Sequence, residues 1–134
     1  MTNELNLTNA CIPSDTIMCV DDQPGDKRFK VTTTFHSSQG TGFSGNGQEI
    51  PLATLGVNHG GLFWFFGPDN PEMLFKMVNG CSLNNHFWVF ISAGTNVAFT
   101  VTVFDTVLGD SVSYSNPDQT AALPVQDTGT LTCP

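Results

Sequence analysis

The chain has 134 residues, enough for one domain with a full core, and only 12% of them are charged, against about 25% in an average globular protein. Twelve acidic and four basic side chains give a formal charge of −8, which argues against nucleic acid and anionic membrane as partners, because both demand concentrated positive surface. The apolar runs are too short for a transmembrane helix, so membrane insertion is not expected.

Residues 1–10 are polar, with neither the basic start nor the apolar segment of a signal peptide; they are expected to be a leader or linker remnant of a mature form. Asn6-Leu7-Thr8 matches the glycosylation sequon. One domain is expected over residues 11–134. Residues 16–20 read as a short strand, and Asp21-Asp22-Gln23-Pro24-Gly25-Asp26 as a turn. Residues 28–36 alternate with period two. Phe29, Val31, Thr33 and Phe35 are expected inward, and Arg28, Lys30, Thr32, Thr34 and His36 outward.

Residues 37–47 are glycine-rich and read as irregular. Gly40-Thr41-Gly42-Phe43-Ser44-Gly45 satisfies the dinucleotide pattern, but Asn46-Gly47 and Pro51 follow where a helix would have to begin, so a loop is expected instead. A strand over 48–55 is confined by Pro51 to a sheet edge or a bulge. Phe63-Trp64-Phe65-Phe66 and Phe87-Trp88-Val89-Phe90 hold both tryptophans and mark buried strands over 61–66 and 86–91, with a third over 72–78 between them. Residues 67–71, Gly-Pro-Asp-Asn-Pro, forbid helix and ladder, and Asn79-Gly80 reads as a hairpin turn. Further strands are expected over 96–105, 111–114 and 129–133, with a proline-bearing connection over 116–126. No segment has a helical period. Eight or nine short strands predict an all-β, two-sheet antiparallel β-sandwich of immunoglobulin-like type.

Cys11, Cys19, Cys81 and Cys133 are even in number and lack the two-residue spacing of a zinc knuckle or redox pair, so they are expected to form disulfides in an extracellular or cell-surface setting. Of the three connectivities, Cys11 with Cys19 and Cys81 with Cys133 is favoured. His36, His59 and His86 fall in separate segments without metal-ligand spacing, and a disulfide-bonded Cys81 cannot serve His86 as a nucleophile. No catalytic residues or cofactor are expected. Asp21, Asp22 and Asp26 are the candidate ligands for a structural calcium ion, with solvated turn carboxylates the plainer reading. Glu72 starts an apolar strand and is expected to pair with Lys76 or the basic cluster Lys27-Arg28-Lys30.

Period-two geometry puts Trp64 and Phe66 on the face opposite Phe63 and Phe65, and Trp88 and Phe90 on the face opposite Phe87 and Val89. An outer apolar patch is therefore expected. It suits a protein-contact surface, or a platform of Trp64, Trp88 or Tyr114 that stacks on a sugar.

The ordered set Cys11-Ile-Pro-Ser14, Arg28-Phe-Lys-Val31, Gly42 with Gly45 and Gly47, Phe63-Trp-Phe-Phe66, Asn70-Pro-Glu72, Lys76-Met-Val-Asn-Gly-Cys81, Phe87-Trp-Val-Phe90 and Thr95-Asn-Val97 resembles a poorly characterised family of small disulfide-containing β-domains of secreted and cell-surface bacterial proteins. The resemblance spans residues 11–133. It implies an extracytoplasmic module and carries no activity or functional residues with it. The expected function is non-enzymatic surface association or self-assembly, with a carbohydrate-binding accessory domain as the alternative.

Overall fold

The computed structural model describes residues 10–40 and 42–134; the leader before Ala10 and the sequon at Asn6 lie outside the described residues. Ten strands form among the described residues: β1 (Met18–Val20), β2 (Phe29–Ser37), β3 (Phe43–Asn46), β4 (Gln48–Ile50), β5 (Gly60–Trp64), β6 (Pro71–Gly80), β7 (His86–Ala93), β8 (Ala98–Asp105), β9 (Ser111–Asn116) and β10 (Val125–Thr132). They build two antiparallel sheets that pack face to face, an all-β sandwich as the turn spacing predicts. One sheet runs β1-β2-β8-β9, with β3 also paired to β2; the other runs β10-β7-β6-β5-β4. The four consecutive strands β4 to β7 make a meander in one sheet. An immunoglobulin domain instead divides its strands into ABED and CFG sheets, so the likeness to that fold lies in the architecture and not in the strand order.

The alternation in β2 decides which side is core. Phe29, Val31, Thr33 and Phe35 are buried between the sheets, while Lys30, Thr34 and His36 are exposed. Opposite them, Phe63, Met73, Phe75, Met77, Phe87, Val89 and Ile91 fill the inner face of the second sheet. Phe29 meets Phe87 edge-on at 4.9 Å, and Phe35 stacks on Phe65 at 4.7 Å between centroids. Each fully buried phenylalanine contributes about 1.5 to 3 kcal/mol of transfer free energy.

Arg28 departs from the alternation. It precedes the first paired residue of β2 and turns inward, only 6% exposed, where Nε and Nη2 donate to the two carboxylate oxygens of Asp105 at 2.9 Å each. Its guanidinium carbon lies 4.8 Å from the centroid of Phe87, and Nη1 lies 3.7 Å from Asp22. A buried guanidinium requires such a fork of acceptors, and the alternation pattern cannot reveal it because Asp105 is 77 residues away.

The glycine-rich segment contains a strand. Gly40 and Gly42 take positive φ, and Gly42 N–H donates to the Gln39 carbonyl, which turns the chain back so that β3 pairs with β2. The irregular loop expected here is in fact a turn followed by a strand. Pro51 ends the edge strand β4, and a single 3-10 turn, Ala53–Leu55, stands where the strand was expected to continue. Asn79-Gly80 is not the hairpin turn. Both residues belong to β6 and pair with Phe87 and His86, and the reversal is made by the one-turn helix α1 (Cys81–Asn84) with Asn85 in the left-handed conformation. Gly80 is required for another reason: a Cβ there would lie 2.2 Å from Nε1 of Trp88, whose ring covers it.

Both expected disulfides are present. Cys11–Cys19 ties the N-terminal segment to β1, and Cys81–Cys133 ties the chain end to the β6–β7 reversal. The pair indicates an oxidising compartment. No helix among the described residues is long and apolar enough to cross a membrane.

Candidate interaction surface

Because β5, β7 and the stretch of β6 from Met73 to Val78 alternate, each inward core residue has an outward neighbour, and too many of those neighbours are large and apolar. The register sets Ile50 beside Leu62 and Leu62 beside Leu74 in one row, and Val78 beside Trp88 in another. Between them runs the row Gly60, Lys76, Phe90 and Gln126. Leu74 is 46% exposed and Val78 37%; Ile50, Leu62, Trp64, Trp88 and Phe90 are half-buried. Lys76 is the one charged side chain in these rows. Its ammonium rests 5.4 Å over the Phe90 ring, and it has no ion-pair partner among the described residues. Glu72, its expected partner, makes no ion pair there either; it is buried beside Met73 where the β5–β6 register shifts.

At one end this face opens into a cleft of about 700 Å³. It exists because β5 begins at Gly60 while β6 runs on to Gly80, leaving the last third of β6 without a complete neighbour. The segment from Leu52 to His59 crosses the gap instead, joined by the Met77 N–H to the His59 carbonyl at 2.8 Å and by the Asp21 N–H to the Asn58 carbonyl at 2.9 Å. Leu52, Val57, Leu74, Met77, Val78 and Phe87 supply an apolar lining, with Lys76, His59, Asn79 and Asp22 at its polar margin. Gly60 cannot carry a side chain here, since its Cβ would meet the Phe75 carbonyl at 2.2 Å. This volume lies within the range of ordinary ligand pockets, about 300 to 1,000 Å³.

The three platform candidates do not come together. Trp64 aligns with Pro71 and Trp88 with Val78, which places them about 23 Å apart along β6 at 3.3 Å per residue. Trp88 is fixed by Nε1–H donating to Asn84 Oδ1 at 2.8 Å. Tyr114 is in the other sheet and faces inward, its hydroxyl donating to Asp127 Oδ2 at 2.6 Å, so it links β9 to β10 across the edge of the sandwich. Burial, and then the adjacent Asp127 carboxylate, push the Tyr114 hydroxyl well above its ordinary range. For Asp127, burial disfavours the charge, but hydrogen bonds from Tyr114, Gly129 and Thr130 outweigh it and hold the carboxyl below its ordinary value.

Of the calcium candidates, Asp21 and Asp26 brace their own turn and Asp22 reaches out of it. Asp21 accepts from the N–H groups of Gly25 and Lys27, and Asp26 from those of Asp22, Gln23 and Arg28; Asp22 accepts from Asn79 Nδ2. No group of three or more His, Cys, Asp or Glu residues converges on a common point among the described residues. The rings of His59 and His86 each bond a main-chain carbonyl, of Asp21 and Asn84 respectively, and Cys81 is held in its disulfide.

A second apolar feature lies at the opposite end of the sandwich. Phe43, 58% exposed, and Phe66, 49% exposed, meet edge-on at 6.2 Å over the buried Phe35. Neither this pair nor the cleft was anticipated in the sequence. The only signal for the pair was the outward parity of Phe66, and the cleft follows from a mismatch of strand lengths that local patterning does not carry.

No protein-family model, curated protein or solved structure matches the chain.

Proposed function

We propose that this domain is a non-enzymatic association module of an extracellular or cell-surface protein, which holds protein partners, copies of itself included, against the outer face of the β10-β7-β6-β5-β4 sheet. The observation that carries this reading is the continuous set Ile50, Leu62, Leu74, Val78, Trp88 and Phe90 on one sheet face, with no carboxylate in its register rows although the chain carries a net charge of −8. Soluble monomers seldom expose a connected apolar patch of this kind unless something covers it. The extracellular placement is supported by the two disulfides and by the resemblance to small β-domains of secreted bacterial proteins. Leu74→Lys and Val78→Lys, placed where the face meets the cleft, are expected to abolish concentration-dependent growth in native mass while leaving the far-ultraviolet circular dichroism unchanged. Association that survives both substitutions would overturn the assignment of this face.

Carbohydrate binding is the second reading, favoured by Trp88, whose outward indole is held in one orientation by Asn84. Stacking on a pyranose needs such a fixed aromatic plane. Glycan-array binding that is lost in Trp88→Ala, with the fold intact, would establish it; an array with no retained glycan would dismiss it.

A further inference from the structure

The sandwich has a projecting aromatic pair at one end and an apolar cleft at the other. We propose that Phe43 and Phe66 of one copy enter the Leu52–His59 cleft of the next, so that the domain assembles head to tail; this rests on the association reading above and names its geometry.

Phe66 lies six residues beyond Gly60, which lines the cleft, so the pair and the cleft are separated by about 20 Å along the strand direction. The pair therefore cannot reach the cleft of its own chain. Each surface is left apolar and without cover, Phe43 and Phe66 about half exposed and Val57 41% exposed at the cleft rim. The two half-exposed, edge-on rings are the inserting element, or wedge, and the cleft is a concave space between the crossing segment and the stretch of β6 that keeps β7 but has no β5 beside it.

Charge is distributed to match. Asp69 follows Phe66 in the turn, and Asp118, bonded to Ser38, flanks the end of β2 that pairs with Phe43. Hydrogen bonds from the Ser38 hydroxyl, and secondarily from nearby backbone N–H groups, hold the Asp118 carboxyl below its ordinary value and so keep it charged. All four basic residues, Lys27, Arg28, Lys30 and Lys76, lie in the other half of the sandwich together with Asp21, Asp22, Asp26 and Asp105; at the cleft margin Asp22 is held by Arg28 and Asn79, and Lys76 has no ion-pair partner among the described residues. Joining unlike ends brings the acidic wedge toward the unpaired lysine. Pairing like ends would oppose Asp69 and Asp118 to their own copies.

A contact between two different surfaces of the same molecule does not close on itself unless a rotation makes a ring, so the expected products are rings or open chains rather than a lone dimer. Light scattering after size exclusion, over a concentration series, reads this directly. Wild-type protein is expected to pass through dimer to larger species. Phe43→Ser with Phe66→Ser removes the wedge and leaves the cleft; Val57→Lys, or Leu52→Lys as an independent change, blocks the cleft and leaves the wedge. Each variant alone is expected to be monomeric at concentrations at least about tenfold above the wild-type midpoint, which corresponds to about 1.4 kcal/mol. An equimolar mixture of a wedge variant and a cleft variant retains one complementary pair of ends and is expected to stop at a 1:1 dimer. A strictly monomeric wild type, a wedge variant that assembles like wild type, or a mixture that remains monomeric would overturn the proposal. If wedge variants still assemble while Leu62→Lys and Phe90→Lys do not, the sheet face is the contact and the head-to-tail join is wrong.

Discussion

Replacing Arg28 by Met removes the guanidinium but keeps much of its apolar stem, and it isolates the one buried ion pair that joins the start of β2 to the end of β8. Asp105 is 1% exposed and loses two charge-assisted hydrogen bonds of 2.9 Å; the N–H groups of Val107 and Leu108 remain on Oδ1. Removing one member of a buried pair costs about 3 to 5 kcal/mol, because the other is left in a medium that solvates it poorly. For a domain whose whole stability is of order 5 to 15 kcal/mol, the loss is large. Asp105→Asn is expected to cost less, about 1.5 to 3 kcal/mol, since the guanidinium keeps Asp22 at 3.7 Å and the faces of Phe29 and Phe87. The double variant is expected to be more stable than the sum of the singles by about 0.5 to 3 kcal/mol, the coupling typical of groups in direct contact. Urea unfolding followed by tryptophan emission gives all three values from the midpoint and slope. If Arg28→Met costs less than about 1 kcal/mol, or if the two changes simply add, the buried pair is not the clamp described here.

Three other outcomes follow from the same structure. Cys81→Ser with Cys133→Ser opens a loop of 52 residues and is expected to cost about 4 kcal/mol, whereas Cys11→Ser with Cys19→Ser, separated by 8, costs about 2.5 kcal/mol; chemical denaturation that ranks them the other way would contradict the loop-entropy account. Tyr114→Phe is expected to cost about 1 kcal/mol near neutrality and to flatten the pH profile at both ends. The Asp127 carboxyl is lowered in the fold, so its contribution is present above the unfolded value and lost as pH falls through the folded one; the Tyr114 hydroxyl is raised, so its contribution is present below about pH 10 and lost above it. A wild-type pH profile unchanged by the substitution would refute the link. Thr33 Oγ1 is buried with no hydrogen-bond partner among the described residues, so Thr33→Val is expected to raise stability by about 1 kcal/mol, and a lower melting temperature would show that the hydroxyl does have a partner.

What could be read from the sequence was whatever depends on neighbours along the chain. The inward set of β2, the two parities of Phe63 to Phe66 and Phe87 to Phe90, the edge position forced by Pro51 and the disulfide pairing all came from local pattern and loop spacing. What the sequence hid depends on distant partners or on lengths. Arg28 faces inward because Asp105 waits 77 residues away, and Tyr114 turns to Asp127 of the other sheet. Asn79-Gly80 carries a turn signature, but its glycine is needed to accommodate the Trp88 ring. The apolar outer face was expected from parity. The cleft beside it arises only once β6 is seen to outrun β5, and the wedge only once β3 brings Phe43 to Phe66.

In the function proposed above, the sandwich holds other chains on its apolar surfaces. Native mass across a concentration series, by light scattering under non-reducing conditions, tests it most directly: the wild-type chain is expected to grow in mass with concentration, and one that stays monomeric throughout would contradict self-association through these surfaces.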